Sequence, residues 1–196
     1  MDGMHWMASA MHAAQAQLDT AAENLANVGS DGFRRVRSTL ALTPQGLAAR
    51  ETTSFAQGGI HETGRRFDLA LLGPGSFALE GGVSTRAGAF VRDRAGWLRD
   101  AVGRRLLGEH GPLRVSETAT IGPDGAVRED ERTVGRIALP PGTTLRSGAL
   151  EASNVDAVGE TLAILTAQRS FETAQKTFVA IDETRDKAVN DVVRLK

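Results

Sequence analysis

The chain has no cysteine, so disulfides, thiolate metal sites and cysteine nucleophiles are excluded. It also lacks any apolar run approaching the roughly 18 residues of a membrane-spanning helix, and no membrane insertion is expected. No basic segment followed by a continuous apolar one stands near the start, so a cleaved secretory signal is not expected. Charge excess is missing too. A formal net charge of −1 gives no bulk attraction to nucleic acid or anionic lipid. Proline is absent before residue 44 and after residue 141, and glycine is sparse in the same stretches. Both residues punctuate strands and turns and are avoided inside helices. Their distribution predicts a helix, a turn-rich middle and a second helix.

The N-terminal stretch carries small or apolar residues at Met4, Met7, Met11, Ala14, Leu18, Ala21, Leu25 and Val28. These steps of three and four form the seam of a coiled coil, and Gly29 is placed to close the helix in a left-handed turn. The C-terminal stretch has the same rhythm at Ile164, Ala167, Phe171, Ala174, Phe178, Ile181, Ala188, Val192 and Leu195, with Arg185 as the one polar residue in register. Ser153 and Asn154 are candidate N-caps, and Ser153 with Asp156 approximates a capping box. At about 1.5 Å per residue the two rods are roughly 40 and 60 Å long.

The middle reads as short strands. Gly81-Gly82 and Asp124-Gly125 are hairpin turns, and Pro140-Pro141 ends a ladder. Phe55, Phe67, Phe77, Phe90 and Trp97 are expected to fill the core of an irregular, mostly antiparallel β domain. The resulting fold class is α+β, with residues 1–29 an assembly helix and 30–53 a turn and linker. Residues 54–147 form the β domain and 148–196 a second assembly helix. Each helix has one narrow apolar stripe that a small β domain cannot cover. Pairing the helices with each other leaves flanks for neighbouring subunits, and contacts between non-identical surfaces propagate into filaments.

Sites for chemistry are thin. His61, Asp68 and Ser76 are the only candidates for a hydrolase triad, and "GPGSFAL" is not a nucleophile elbow. The four histidines lack metal-ligand spacing. "GPGSFALEGG" lacks the lysine of a phosphate-binding loop. Arg128–Glu131 reads as a solvated acidic turn, and "FRRVR" (Phe33 to Arg37) as a solvated or acid-paired basic run. No cofactor is expected.

The stretch "AENLANVGSDGFRR" resembles the N-terminal signature of bacterial flagellar rod and hook proteins. Ala22, Asn24, Leu25, Ala26, Asn27, Gly32, Phe33 and Arg34 match it in order and spacing. "GALEASNVDAVGETLAILTAQRSFE" is similar to the family's C-terminal motif at Gly148, Leu150, Glu151, Ser153, Asn154, Val155, Asp156, Gln168, Arg169, Phe171 and Glu172. "FAQGGIHETGRRFDLALLGPGSFAL" and "STRAGAF" resemble the middle of the longer, FlgF- and FlgG-type rod proteins. The chain departs from the family in three places. "GSDG" replaces the usual "NTTG", Phe171 replaces a common tyrosine, and a stretch before "LEASNV" is missing.

The resemblance implies a structural subunit of the basal-body rod, not an enzyme. Such a subunit self-assembles into a helical axial tube that crosses the periplasm and transmits torque from motor to hook. Implied partners are copies of the chain, other rod and hook subunits, surrounding ring proteins and the flagellar type III export apparatus. The alternatives are a hook or hook-associated subunit, or the small β-domain hydrolase. The candidate assembly interface comprises Leu18, Asn24, Leu25, Ala26, Asn27, Val28, Gly32, Phe33, Leu150, Glu151, Ser153, Asn154, Val155, Gln168, Arg169, Phe171, Glu172 and Phe178. In this reading Asn24 and Asn27 bond backbone groups left without partners at the helix end. Gly32 reverses the chain, Phe33 anchors it, and Arg169 and Glu172 form ion pairs within or between subunits.

Overall fold

The proline-free ends with their three-four apolar rhythm form two long helices, α1 (Gly3–Ala26) and α2 (Ala157–Arg194). The computed structural model describes residues 3–130 and 132–194, the last six by backbone alone. Leu195, Glu131 and the side chain of Val192, each part of a sequence reading above, lie outside the described residues. The chain divides into two units and passes back and forth between them. The first holds the residues up to Ala26, Arg35–Ser54 and the residues from Val155 on. The second holds Asn27–Arg34 and Phe55–Asn154.

In the first unit α1 runs antiparallel along α2. Gly3 lies beside Ile181, Met4 Sδ is 2.7 Å from the Arg185 guanidinium, and Asn24 reaches Glu160 near the start of α2. The seam positions buried deepest are alanines: Ala14 and Ala21 on α1, Ala167 and Ala174 on α2. Small side chains there let the helices approach closely, and the half-buried Leu18, Leu25, Phe171 and Phe178 flank the contact.

Both helix ends differ from the sequence reading. α1 stops at Ala26, so Val28 is in a turn and exposed, and Ser30 N donates to Asn27 O to close that turn. The left-handed glycine is Gly32 (φ 69°) rather than Gly29. α2 begins at Ala157 and is capped by Asp156, whose Oδ1 accepts from Val158 N at 3.2 Å. Ser153 and Asn154 are too far upstream to cap it, because they belong to the extended chain of the second unit.

Residues 30–53, read as turn and linker, contain a long hairpin. Strands β1 (Val36–Thr43) and β2 (Gly46–Thr53) pair in unbroken antiparallel register from Val36↔Thr53 to Thr43↔Gly46. Threonine and valine favour the pleated conformation, and Pro44-Gln45 makes the turn. The hairpin docks on α1. Leu47 N donates to Ser9 Oγ (3.1 Å), His5 Nε2 to Gln45 O (2.7 Å) and Thr20 Oγ1 to Glu51 Oε1 (2.6 Å).

The second unit is built from short antiparallel pairs. Strands β3 (Ile60–Glu62) and β4 (Leu69–Leu72) come first, then the hairpin of β5 (Phe77–Leu79) and β6 (Val83–Thr85) around Gly81-Gly82. Leu69, Leu71, Phe77, Leu79, Phe90, Leu98, Leu106, Val127 and Ile137 fill the core, with Phe77 and Phe90 edge to face at 5.2 Å. Phe67 packs partly against this core. Phe55 is not in it, being 85% exposed. Trp97 is half-buried, with the guanidiniums of Arg105 and Arg114 5.0 and 5.9 Å from its ring centroid. Both lie within the range of a cation–π contact.

Two late strands close the unit. Thr144–Ser147 pairs with β4 and Ala149–Glu151 with β3. The start of the segment read as the second assembly helix is therefore β structure. Leu150 is buried there and cannot face solvent at a helix start.

Candidate assembly joint and interface

Both ends of the family-like pattern converge on buried carboxylates. In the second unit Glu151 is 2% exposed. Arg86 Nε donates to its Oε2 at 2.8 Å, Arg86 Nη2 lies 2.6 Å from the same oxygen, and Gly58 N donates to Oε1 at 3.1 Å. Arg34 lies 3.6 Å away and donates to Ala56 O at 2.8 Å. Burial, then the neighbouring Arg86 charge, holds the Arg34 pKa below the usual arginine value, with Glu151 acting against both. Arg86 spends its remaining donors on the carbonyls of Leu71, Gly73 and Gly75. A buried guanidinium needs this full set of acceptors, since an unpaired charge in the interior is costly.

The loop that carries the first motif is fastened at the same place. Gly32 N donates to Glu151 O at 2.6 Å, and Asn154 N to Phe33 O at 3.4 Å. A Cβ on Gly32 would lie 2.3 Å from Ala87 N, and its φ of 69° disfavours any side chain.

In the first unit Glu160 plays the matching part, 2% exposed within the first turn of α2. Arg35 Nε donates to its Oε1 at 2.5 Å, and Asn24 Nδ2 to its Oε2 at 3.1 Å. Asn24 does bond backbone, but not at the helix end. Its amide takes both backbone groups of Val36 on β1, donating to the carbonyl at 2.6 Å and accepting from the N–H at 2.8 Å.

The candidate interface residues thus fall into three groups. Asn24, Leu150 and Glu151 are buried within their own units. Their polar atoms and apolar area are already spent inside the chain. Leu18, Leu25, Asn27, Gly32, Phe33, Ser153, Asn154, Val155, Phe171 and Phe178 are half-buried. Ala26, Val28, Gln168, Arg169 and Glu172 are exposed. Steps of four and three place Arg169 and Glu172 on one stripe of α2 with Val158, Leu162 and Leu165. The exposures of those three, 70%, 59% and 47%, show an apolar stripe turned to solvent.

Arg86 and Glu160 were not singled out from the sequence, whereas Arg35 stood in the basic run Phe33 to Arg37 read as solvated or acid-paired. The one cue was the isolated acid in the first turn of an otherwise amphipathic helix. Among the described residues no hydrogen bond or ion pair joins His61, Asp68 and Ser76. Asp68 is buried and takes bonds from Thr63 Oγ1 (2.5 Å) and Arg65 Nε (2.7 Å), while His61 lies 3.7 Å from Asp31. Among the described residues no cluster of three or more metal-ligating side chains occurs. No described helix is long and apolar enough to cross a membrane.

These features define an α+β protein whose two chain ends meet in one helical unit, with the motif residues serving as internal fasteners. Comparison with known proteins finds similarity at both ends of the chain. Residues 6–34 match the family model "Flagella basal body rod protein", and residues 146–191 match "Flagellar basal body rod FlgEFG protein C-terminal". The chain is 28% identical to the flagellar basal-body rod protein FlgF of Mesorhizobium japonicum over 96% of each chain. It is 28% identical to FlgG of Bacillus subtilis over 93% of this chain and 96% of that one. It is 32% identical to the flagellar hook protein FlgE of Rhizobium meliloti, over 72% of this chain but 40% of the hook protein. Both ends of the chain thus match models of the flagellar basal-body rod proteins, and rod proteins at 28% identity align with nearly its whole length. Its alignment with FlgF spans 232 positions, more than the 196 residues present, so that relative carries residues with no counterpart here.

Proposed function

We propose that this chain is a structural, non-catalytic subunit of the bacterial flagellar basal-body rod. It assembles with copies of itself and with other rod and hook subunits. The observation that carries the reading is the pairing of both chain ends in one antiparallel helix unit, whose α2 keeps Val158, Leu162 and Leu165 exposed. A stripe of that kind loses free energy when a neighbour covers it, by about 25 cal/mol per Å² of apolar surface buried. Coiled-coil-like packing of the helices then extends from the subunit to its neighbours, and heterologous contacts generate a helical axial tube. In the finer reading the tube crosses the periplasm within the ring proteins and carries torque from motor to hook. The subunits reach it through the flagellar type III export apparatus without a cleaved signal. The hook alternative is the weaker one, since the hook relative is matched over only 40% of its length.

The test is the double variant Leu162→Asp, Leu165→Asp, made on an exposed face that α1 does not cover. The purified variant should keep the circular dichroism of the parent but fail to restore swimming to a strain lacking the gene. Swimming at the parental level would sink the proposal.

A further inference from the structure

The second unit is assembled mainly from Phe55 onward, yet it is closed by its last dozen residues. Residues 143–154 form a strap. Its two strands add to the edges of β4 and β3, with pairs from Thr144↔Leu72 to Ser147↔Leu69 and from Ala149↔Glu62 to Glu151↔Ile60. Leu145, Ala149 and Leu150 on the strap are buried. Gly148 N donates to Asp68 O and Ala152 N to Gly59 O, both at 2.8 Å. The strap also brings the carboxylate of Glu151 to Arg86, a guanidinium that is otherwise buried among carbonyls. Before the strap docks, that cation has dipoles around it but no counter-charge from Glu151. The N-terminal loop likewise lacks the Glu151 carbonyl that holds Gly32.

We infer that residues 143–154 are a latch that docks last. The antiparallel pairs between residues 69 and 137 form first, and Glu151 then locks both the Arg86 site and the loop 27–34. The physical reason is loop closure. The strap's partners β3 and β4 lie more than 70 residues upstream in the chain, whereas the pairs β5–β6 and Ala126–Glu129 with Arg132–Arg136 are local hairpins. A chain emerging from its N-terminus cannot complete this unit until residue 154 is available. The joint between the two family-like motifs is therefore the last part to set. This device concerns folding and stands whether or not the chain assembles into a rod.

Pulsed hydrogen exchange during refolding of the full chain tests it. Amides of Gly148 and Ala152 should gain protection in a later phase than those of Leu98 and Ile137. Glu151→Gln should slow that later phase about tenfold or more, leaving the earlier phase unchanged. Because the sequence has no cysteine, Glu62→Cys with Ala149→Cys gives a single disulfide across a facing pair. When oxidised, it should merge the two phases even in the Glu151→Gln background, and reduction should separate them again. Simultaneous protection of all four amides in the parent would overturn the inference. So would a Glu151→Gln effect of equal size on both phases.

Discussion

The side-chain amide of Asn24 holds both backbone groups of Val36, at 2.6 and 2.8 Å, in the way a neighbouring strand would. A helix residue thus supplies one rung of a ladder to the first residue of β1, and its nitrogen also reaches Glu160. Asn24→Ala removes three bonds at a buried position and leaves Val36 and Glu160 short of partners. The expected loss is about 1–3 kcal/mol of stability, read as a lower urea midpoint at unchanged slope. Asn24→Asp should be no milder, because it puts a second carboxylate beside Glu160.

Arg86 offers a sharper contrast. Arg86→Met leaves the buried Glu151 carboxylate with only the more distant Arg34 as counter-charge, and breaking one side of a buried pair costs up to about 3–5 kcal/mol. Arg86→Met combined with Glu151→Leu removes both buried charges and should recover part of that loss, Arg34 keeping its bond to Ala56 O. Thermal melts of the single and double variants decide the point. A double variant no more stable than the single one would contradict the account of the site.

Gly88 is required for space. A Cβ there would fall 1.6 Å from the Leu69 carbonyl oxygen, against backbone that cannot rotate away. Gly88→Ala should cost about 1–3 kcal/mol through displacement of β4. Gly81→Ala has nothing within 4 Å but a φ of 88°. It should cost less, about 1 kcal/mol, from backbone strain alone. Denaturation of the two variants side by side separates crowding from strain.

Asp100 carries an acid-sensitive contribution. Burial pushes its pKa up, but bonds from the Arg104 side chain and backbone, the Arg104 charge and Val102 N outweigh burial and hold it below 3.8. Its folded-state pKa is therefore depressed. The stability it adds is complete above the unfolded value and is lost as pH falls through the folded one. Asp100→Asn should flatten the acid limb of unfolding below about pH 4 and change little at pH 7 beyond a constant offset. An unchanged acid limb would show that Asp100 contributes nothing there.

The helices were legible because proline is absent and the apolar steps are regular, signals that survive without tertiary context. The hairpin at Val36–Thr53 was missed because Leu40, Ala41 and Leu42 run consecutively instead of alternating with polar residues, and Pro44 suggested a linker. Phe55 was assigned to the core on residue type alone, although a single large apolar side chain at the surface is ordinary. The fasteners were the least visible part. Arg86 and Glu151 are 65 residues apart, and Arg35 and Glu160 are 125 apart. No local rule joins them. The motif residues were recognised as a pattern, while their burial shows that several serve the subunit's own closure.

Arg34 and Arg35 are consecutive, yet one belongs to the Glu151 site and the other to the Glu160 site, in different units. The segment around them is short and irregular, the kind of chain in which an extra residue is normally harmless. Here Gly32 and Phe33 are already held by Glu151 and Asn154, so one residue inserted between Phe33 and Arg34 would carry that guanidinium away from Glu151. Ahead of Arg34 the loop is constrained in length as well as in its glycine.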